Sequence, residues 1–232
     1  MQTRIGISYF AAIILVGTLV ACGPSAAAKR RADSAVAAAA KAHVVSQAGE
    51  VLSARREAQV FVDSARVSFI GKHRAAAAKS LREAASFTRQ QSETAAGLDK
   101  EALTKSAKEL ERVATGVSNG AVKSVRTLDL AIARMQMGEA QFHYSRVMAA
   151  WNKSDAGVAG AELTMAIDHF DRGVGSAGLR LDAETQAAAN DIHTLASEMT
   201  SGAILTAADV EKTLTTFDNE LQRVATVVSK KK

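Results

Sequence analysis

Cysteine, proline and aromatic side chains are nearly missing from this chain. One cysteine, Cys22, in 232 residues leaves no intramolecular disulfide to form, so the fold must be held by packing alone. One proline, Pro24, means that nothing beyond position 24 kinks or blocks a helix through a missing amide hydrogen. Aromatics are 4% of residues, too few for the stacking platforms that hold single-stranded nucleic acid, and nucleic acid is not an expected partner. No His-Glu-x-x-His, no phosphate-binding glycine loop and no Cys-x-x-Cys-His is present. The expectation is a protein that is not an enzyme and carries no cofactor.

Alanine fills much of the space that those residues leave. It is the best helix former and loses no side-chain entropy on ordering. The composition therefore predicts an all-α fold of about seven helices that approach one another closely. The formal charge is +5, with both signs interspersed as on a solvated helical surface. Two basic clusters stand apart, Lys29-Arg30-Arg31 and Lys230-Lys231-Lys232. Either suits anionic lipid head groups or another polyanion of an envelope.

Along the chain, Val36, Ala40, Val44, Val51, Ala58, Val62, Ala65 and Phe69 form one helical stripe, eased near Gly49 and broken at Gly71-Lys72-His73. A second helix turns Ala77, Leu81, Ala84 and Phe87 inward and ends near Ala95-Ala96-Gly97. Asp99 is the expected N-cap of the third, with Leu98 stapled on Leu103. Its stripe is Leu103, Ala107, Leu110, Ala114 and Val117, stopped by Ser118-Asn119-Gly120. The fourth carries Val125, Leu128, Ile132, Met135 and Phe142 and runs to about Trp151. The fifth shows Ala159, Leu163, Ala166 and Phe170 and ends at Gly173-Val174-Gly175. Leu181-Asp182 opens the sixth, which buries Ile192, Leu195 and Met199. Thr206-Ala207-Ala208-Asp209 reads as a capping box for the seventh, whose heptad is Ala207, Val210, Leu214, Phe217, Leu221, Val224 and Val228.

An offset of 82 residues, the separation of Gly120 from Gly202, aligns the chain with itself. Glu57-Ala58-Gln59 falls on Glu139-Ala140-Gln141, Phe69 on Trp151, and Ala77, Leu81 and Ala84 on Ala159, Leu163 and Ala166. Leu110, Val113, Ala114 and Val117 fall on Ile192, Leu195, Ala196 and Met199. The expectation is two duplicated helical units, residues 29–138 and 139–232. Ala77-x3-Leu81-x2-Ala84 and its counterpart resemble the second helix of a tetratricopeptide hairpin, which implies helical-hairpin packing. Trp151, aligned with Phe69, is expected to plug a hairpin turn.

The amino-terminal end follows another logic. Arg4 precedes an apolar run from Ile5 to Val20, and the order of charge, apolar core and small residue is that of a secretory signal. Leu19-Val20-Ala21-Cys22 resembles the lipobox of bacterial lipoproteins. The resemblance implies a signal peptide over residues 1–21, cleavage before Cys22, and acylation of that cysteine. Residues 22–28 would then be a tether. Gly23, where Asp would retain a lipoprotein in the inner membrane, points to the outer membrane facing the periplasm. With several acyl chains the membrane is a firm partner. A helical array presents long surfaces to other proteins, so an envelope protein is the expected partner and a non-catalytic scaffold the expected function. The alternative is a structural tether: an anchor at one end and Lys232 at the other resemble the outer-membrane lipoprotein that is joined to peptidoglycan.

The histidines are scattered at positions 43, 73, 143, 169 and 193. Only His143 and His169 fall on helices that form one hairpin, with Asp168 and Asp171 flanking the second and Met135, Met137 and Met148 near the first. Imidazole with thioether or carboxylate could bind copper or zinc in a periplasmic metal-binding protein. The expectation preferred on sequence is no metal site, with methionines filling core gaps and histidines lining a helix surface.

Overall fold

A computed structural model describes residues 56–231. The signal segment, Cys22, the tether, the stripe from Val36 to Val51 and Lys232 lie outside the described residues. Among the described residues the fold is all-α, with seven helices and no strand. They are α1 (Arg56–Ile70), α2 (Arg74–Thr94), α3 (Gly97–Ser118), α4 (Val125–Trp151), α5 (Ala156–Ser176), α6 (Ala183–Ser201) and α7 (Ala207–Lys230). All belong to the unit Ala39–Lys232.

Each helix packs on its neighbour in sequence, and α4 also packs on both α1 and α7. Two cores result. Val62, Ala77, Leu81, Leu110, Val113, Val117, Leu128, Ile132 and Met135 make the first, from α1 to α4. Met137, Ala140, Leu163, Phe170, Ile192, Leu195, Leu214, Phe217 and Leu221 belong to the second, from α4 to α7. Helix α4 gives one face to each, and so has buried residues on more than one side in place of a single apolar stripe. It runs unbroken across position 138, and its 27 residues span about 40 Å.

Small residues bring these helices together. Gly173 lies inside α5, where an added Cβ would collide with the Met137 methyl and crowd Gln136 of α4. The glycines at 173 and 175 therefore do not end α5, which continues to Ser176. Their role at 173 is close approach, and helix termination falls to the turn beyond. At the carboxyl end of α5, the Ala177 carbonyl accepts from Arg126 at 2.8 Å and from Lys231 Nζ at 3.0 Å. Cations are favoured there by the exposed carbonyls of a helix end.

The 82-residue offset recurs in the backbone. It carries both ends of α2 onto both ends of α5, and the first residue of α4 onto that of α7. Lys72 and Ser154, equivalent turn residues, have φ of +65° and +59°; Gly120 and Gly202 have +78° and +71°. The turn bonds Lys72 N–H to Phe69 O (3.0 Å) and His73 N–H to Ser68 O (2.8 Å) have counterparts in Ser154 to Trp151 (2.8 Å) and Asp155 to Ala150 (3.0 Å). Phe69 and Trp151 are each half-buried against the core of their own bundle.

Several local expectations shift. Phe87 is only half-buried, and its neighbour Thr88 takes the inward position. Helix α3 starts at Gly97, so Asp99 sits in its first turn and does not cap it, and Leu98 is 79% exposed and staples nothing. Ala207 is exposed, while Val210, Leu214, Phe217, Leu221, Val224 and Val228 are all buried. Asp182 and Thr206 cap α6 and α7 as their side chains suggest, accepting from Thr185 N–H and Asp209 N–H.

Candidate functional site

Among the described residues, Gln136, Glu139, His143, Glu162 and His169 are buried together where α2, α4 and α5 meet. Glu139 and His143 are one helical turn apart on α4 and so share a face. His169 projects from α5 onto the same spot. The two imidazoles stack with centroids 5.4 Å apart and planes within 5°. One donor atom of each of Glu139, His143 and His169 lies within 4.8 Å of those of the other two. All three side chains are buried, Glu139 completely. The histidines thus do not line a helix surface, because the α4–α5 seam closes over them. The methionines behave as expected of fillers: Met135 packs in the first core and Met137 in the second.

Hydrogen bonds fix the orientation of both rings. Arg146 Nε donates to Glu162 Oε1 at 2.6 Å, and the other oxygen of that carboxylate lies 2.6 Å from His143 Nδ1. A carboxylate only accepts, so Nδ1 carries the proton and Nε2 the lone pair in neutral His143. His169 Nδ1 lies 2.5 Å from Gln136 Oε1. Gln136 is itself oriented, since its amide donates to Gln59 Oε1 at 3.2 Å and Arg172 donates to the same oxygen at 2.9 Å. Gln136 Oε1 is therefore an acceptor, His169 Nδ1 the donor, and Nε2 again the basic nitrogen.

Glu139 is held differently. Burial pushes its carboxyl up from 4.5 to about 7, while neighbouring Thr88 and Gln91 pull the value back. Neither neighbour closes a hydrogen bond of proper geometry with it. The buried side-chain polar atoms that lack a partner among the described residues are Thr88 Oγ1, Gln91 Oε1, both oxygens of Glu139, and His143 Nε2. All belong to this one cluster. A cleft of about 290 Å³ lies beside Gln136, lined among others by Gln59, Asp63, Asp129 and Arg172, and none of Glu139, His143 and His169 lines it.

Of the residues singled out in the sequence, the fold unites His143 and His169. His193 stays at the surface, 2.9 Å from Asp171. Lys230 is exposed in the last turn of α7, and Lys231 is docked on Ala177. Sequence reasoning missed Glu139, Glu162 and Gln136. Glutamates at buried positions of α4 and α5 are the signal that could have found two of them. A match to Gly-x-Ser-x-Gly does exist at Gly116-Val117-Ser118-Asn119-Gly120. It lies at the end of α3, with no strand before it, and so makes no strained nucleophile turn.

The fold and this cluster define an all-α bundle protein with a buried histidine–carboxylate centre. No protein-family model matches the chain, and no curated protein or solved structure does either.

Proposed function

We propose that this chain is a lipid-anchored, non-catalytic helical scaffold of the bacterial cell envelope, attached through Cys22 and facing the periplasm. The observation that carries the reading is the order Leu19-Val20-Ala21-Cys22 after an apolar run, with the chain's single cysteine where an acyl acceptor belongs. No helix among the described residues is long and apolar enough to cross a membrane, so attachment would rest on the anchor. The body beyond it suits a scaffold: two helical bundles share the stiff rod α4, and α1 offers Val60, Val67 and Ile70 on its outer side. The matching helix ends and turns support reading the bundles as two copies of one unit. The tether reading has one supporting feature. Lys230 is exposed, so its amine would be available for a bond to peptidoglycan, whereas that of Lys231 is engaged.

The deciding experiment is Cys22→Ser in cells. Loss of membrane attachment, with the protein released or left unprocessed, is the expected result. Fractionation and processed size like those of the wild type would overturn the lipoprotein reading. Muramidase digestion of boiled sacculi separates scaffold from tether, since only a tether leaves protein on the wall.

A further inference from the structure

We infer that Glu139, His143 and His169 form a binding site for one divalent transition-metal ion of the zinc class, buried at the seam of α2, α4 and α5. The inference does not depend on how the chain is anchored.

Four observations carry it. The donor set is two imidazoles and a carboxylate, which suits zinc and its first-row neighbours and not the all-oxygen preference of magnesium or calcium. His143 has Nδ1 committed to Glu162 and its buried Nε2 has no hydrogen-bond partner, which leaves Nε2 as its donor nitrogen. Glu162 on His143 is the carboxylate–histidine arrangement that orients metal-bound imidazoles and raises their basicity. Next, the unpartnered buried atoms gather here and nowhere else among the described residues. Two carboxylate oxygens and an imidazole nitrogen without hydrogen bonds are costly in an apolar seam, and a cation satisfies all three at once.

The third observation is the internal comparison. Under the 82-residue offset, His143 falls on Phe61, His169 on Phe87, and the Arg146–Glu162 ion pair on the Ser64–Ser80 hydrogen bond (3.2 Å). Glu139 falls on Glu57, so the carboxylate position itself recurs. The same architecture therefore forms without the two histidines and the Arg146–Glu162 pair, and packing alone does not account for those. The fourth is nearness to solvent: Gln136, whose Oε1 lies 2.5 Å from His169 Nδ1, lines a cleft at the surface.

A zinc ion with bonds of about 2.0–2.2 Å keeps tetrahedral donors roughly 3.4 Å apart. The donors here lie within 4.8 Å, so small rotations of the Glu139 carboxyl and the rings would close the site. Thr88 Oγ1, Gln91 Oε1 or a water would complete the fourth position.

The test uses the full chain, purified in detergent, stripped with a chelator and titrated with Zn²⁺ by calorimetry. Co²⁺ would then report the coordination through its visible absorption. The expected result is one ion per chain and a Co²⁺ spectrum of nitrogen–oxygen ligation. Glu139→Gln, His143→Phe and His169→Phe should each weaken binding at least about 100-fold, and Glu162→Gln by about 10- to 100-fold. The phenylalanines are the residues the first bundle uses at those positions, so folding should survive, and circular dichroism would verify it. His193→Ala, at the surface, should bind like the wild type. No stoichiometric uptake by the wild type would overturn the site. So would uptake that Glu139→Gln and His143→Phe leave unchanged in folded protein.

Discussion

The two bundles spend the same helical positions differently. In the first, Phe61 and Phe87 stand where the second has His143 and His169, and two serines share a neutral hydrogen bond where the second has Arg146 and Glu162. In the second, Phe170 is buried where the first has Thr88, beside Glu139. The comparison separates what the architecture needs from what it tolerates. Small residues at 77 and 84, 159 and 166, with Leu81 and Leu163 between them, are common to both. The two histidines and the Arg146–Glu162 pair are not.

The largest expected effect tests the common part. Leu81 and Leu163 are both fully buried at matched positions. Leu81→Ala and Leu163→Ala should each cost about 3–5 kcal/mol by denaturant unfolding, and should agree to within about 1 kcal/mol if the sites relax alike. A cost near zero at one of them would break the equivalence.

Next comes the part that differs. Glu139 has its native carboxyl raised from 4.5 to about 7. For an acid raised on folding, the penalty is absent below pH 4.5, grows as the unfolded state ionises, and is complete above about pH 7. At about 1.4 kcal/mol per unit it amounts to roughly 3 kcal/mol. Metal-free Glu139→Gln should therefore be more stable than the wild type by up to about 3 kcal/mol at pH 8 and nearly unchanged at pH 4. Equal gains at both values would mean that burial of charge is not the cause. The variant predicted to lose metal is thus the one predicted to gain stability, as expected where function and packing compete.

The smallest effect lies at the helix starts. Ser124 caps α4 and Thr206 caps α7 at equivalent positions, each accepting a backbone hydrogen bond. Replacement by Ala should cost about 1 kcal/mol in either case. A much larger loss at one would show that its hydroxyl does more than cap.

The sequence made the helices legible because alanine-rich stripes at helical spacing leave few alternatives, and because turns such as Ser118-Asn119-Gly120 carry their own chemistry. Errors arose where two signals competed. Leu98 looked like a staple, but the helix began upstream of it. Gly173 looked like a stop, but glycine also permits contact between helices, and only the position of Met137 decides between the two. For the site, the hairpin of α4 and α5 made the pairing of His143 with His169 readable. Glu139 was not, since it faces Thr88 and Gln91 on a helix about 50 residues earlier, and no local pattern reports such a meeting.

Because α4 lines both cores, neither half of this body has an independent edge at which to open. Peeling α1 to α3 away would strip Leu128, Ile132 and Met135, and releasing α5 to α7 would expose Met137, Ala140 and Val147 on the same rod. Two structural halves would then behave as a single cooperative unit. Amide protons in the middle turns of α4 would exchange with solvent only when the whole body unfolds, while those in the last turn of α7 exchange through local fraying. A force or a proteolytic cut applied at one bundle would be felt at the other through a helix about 40 Å long.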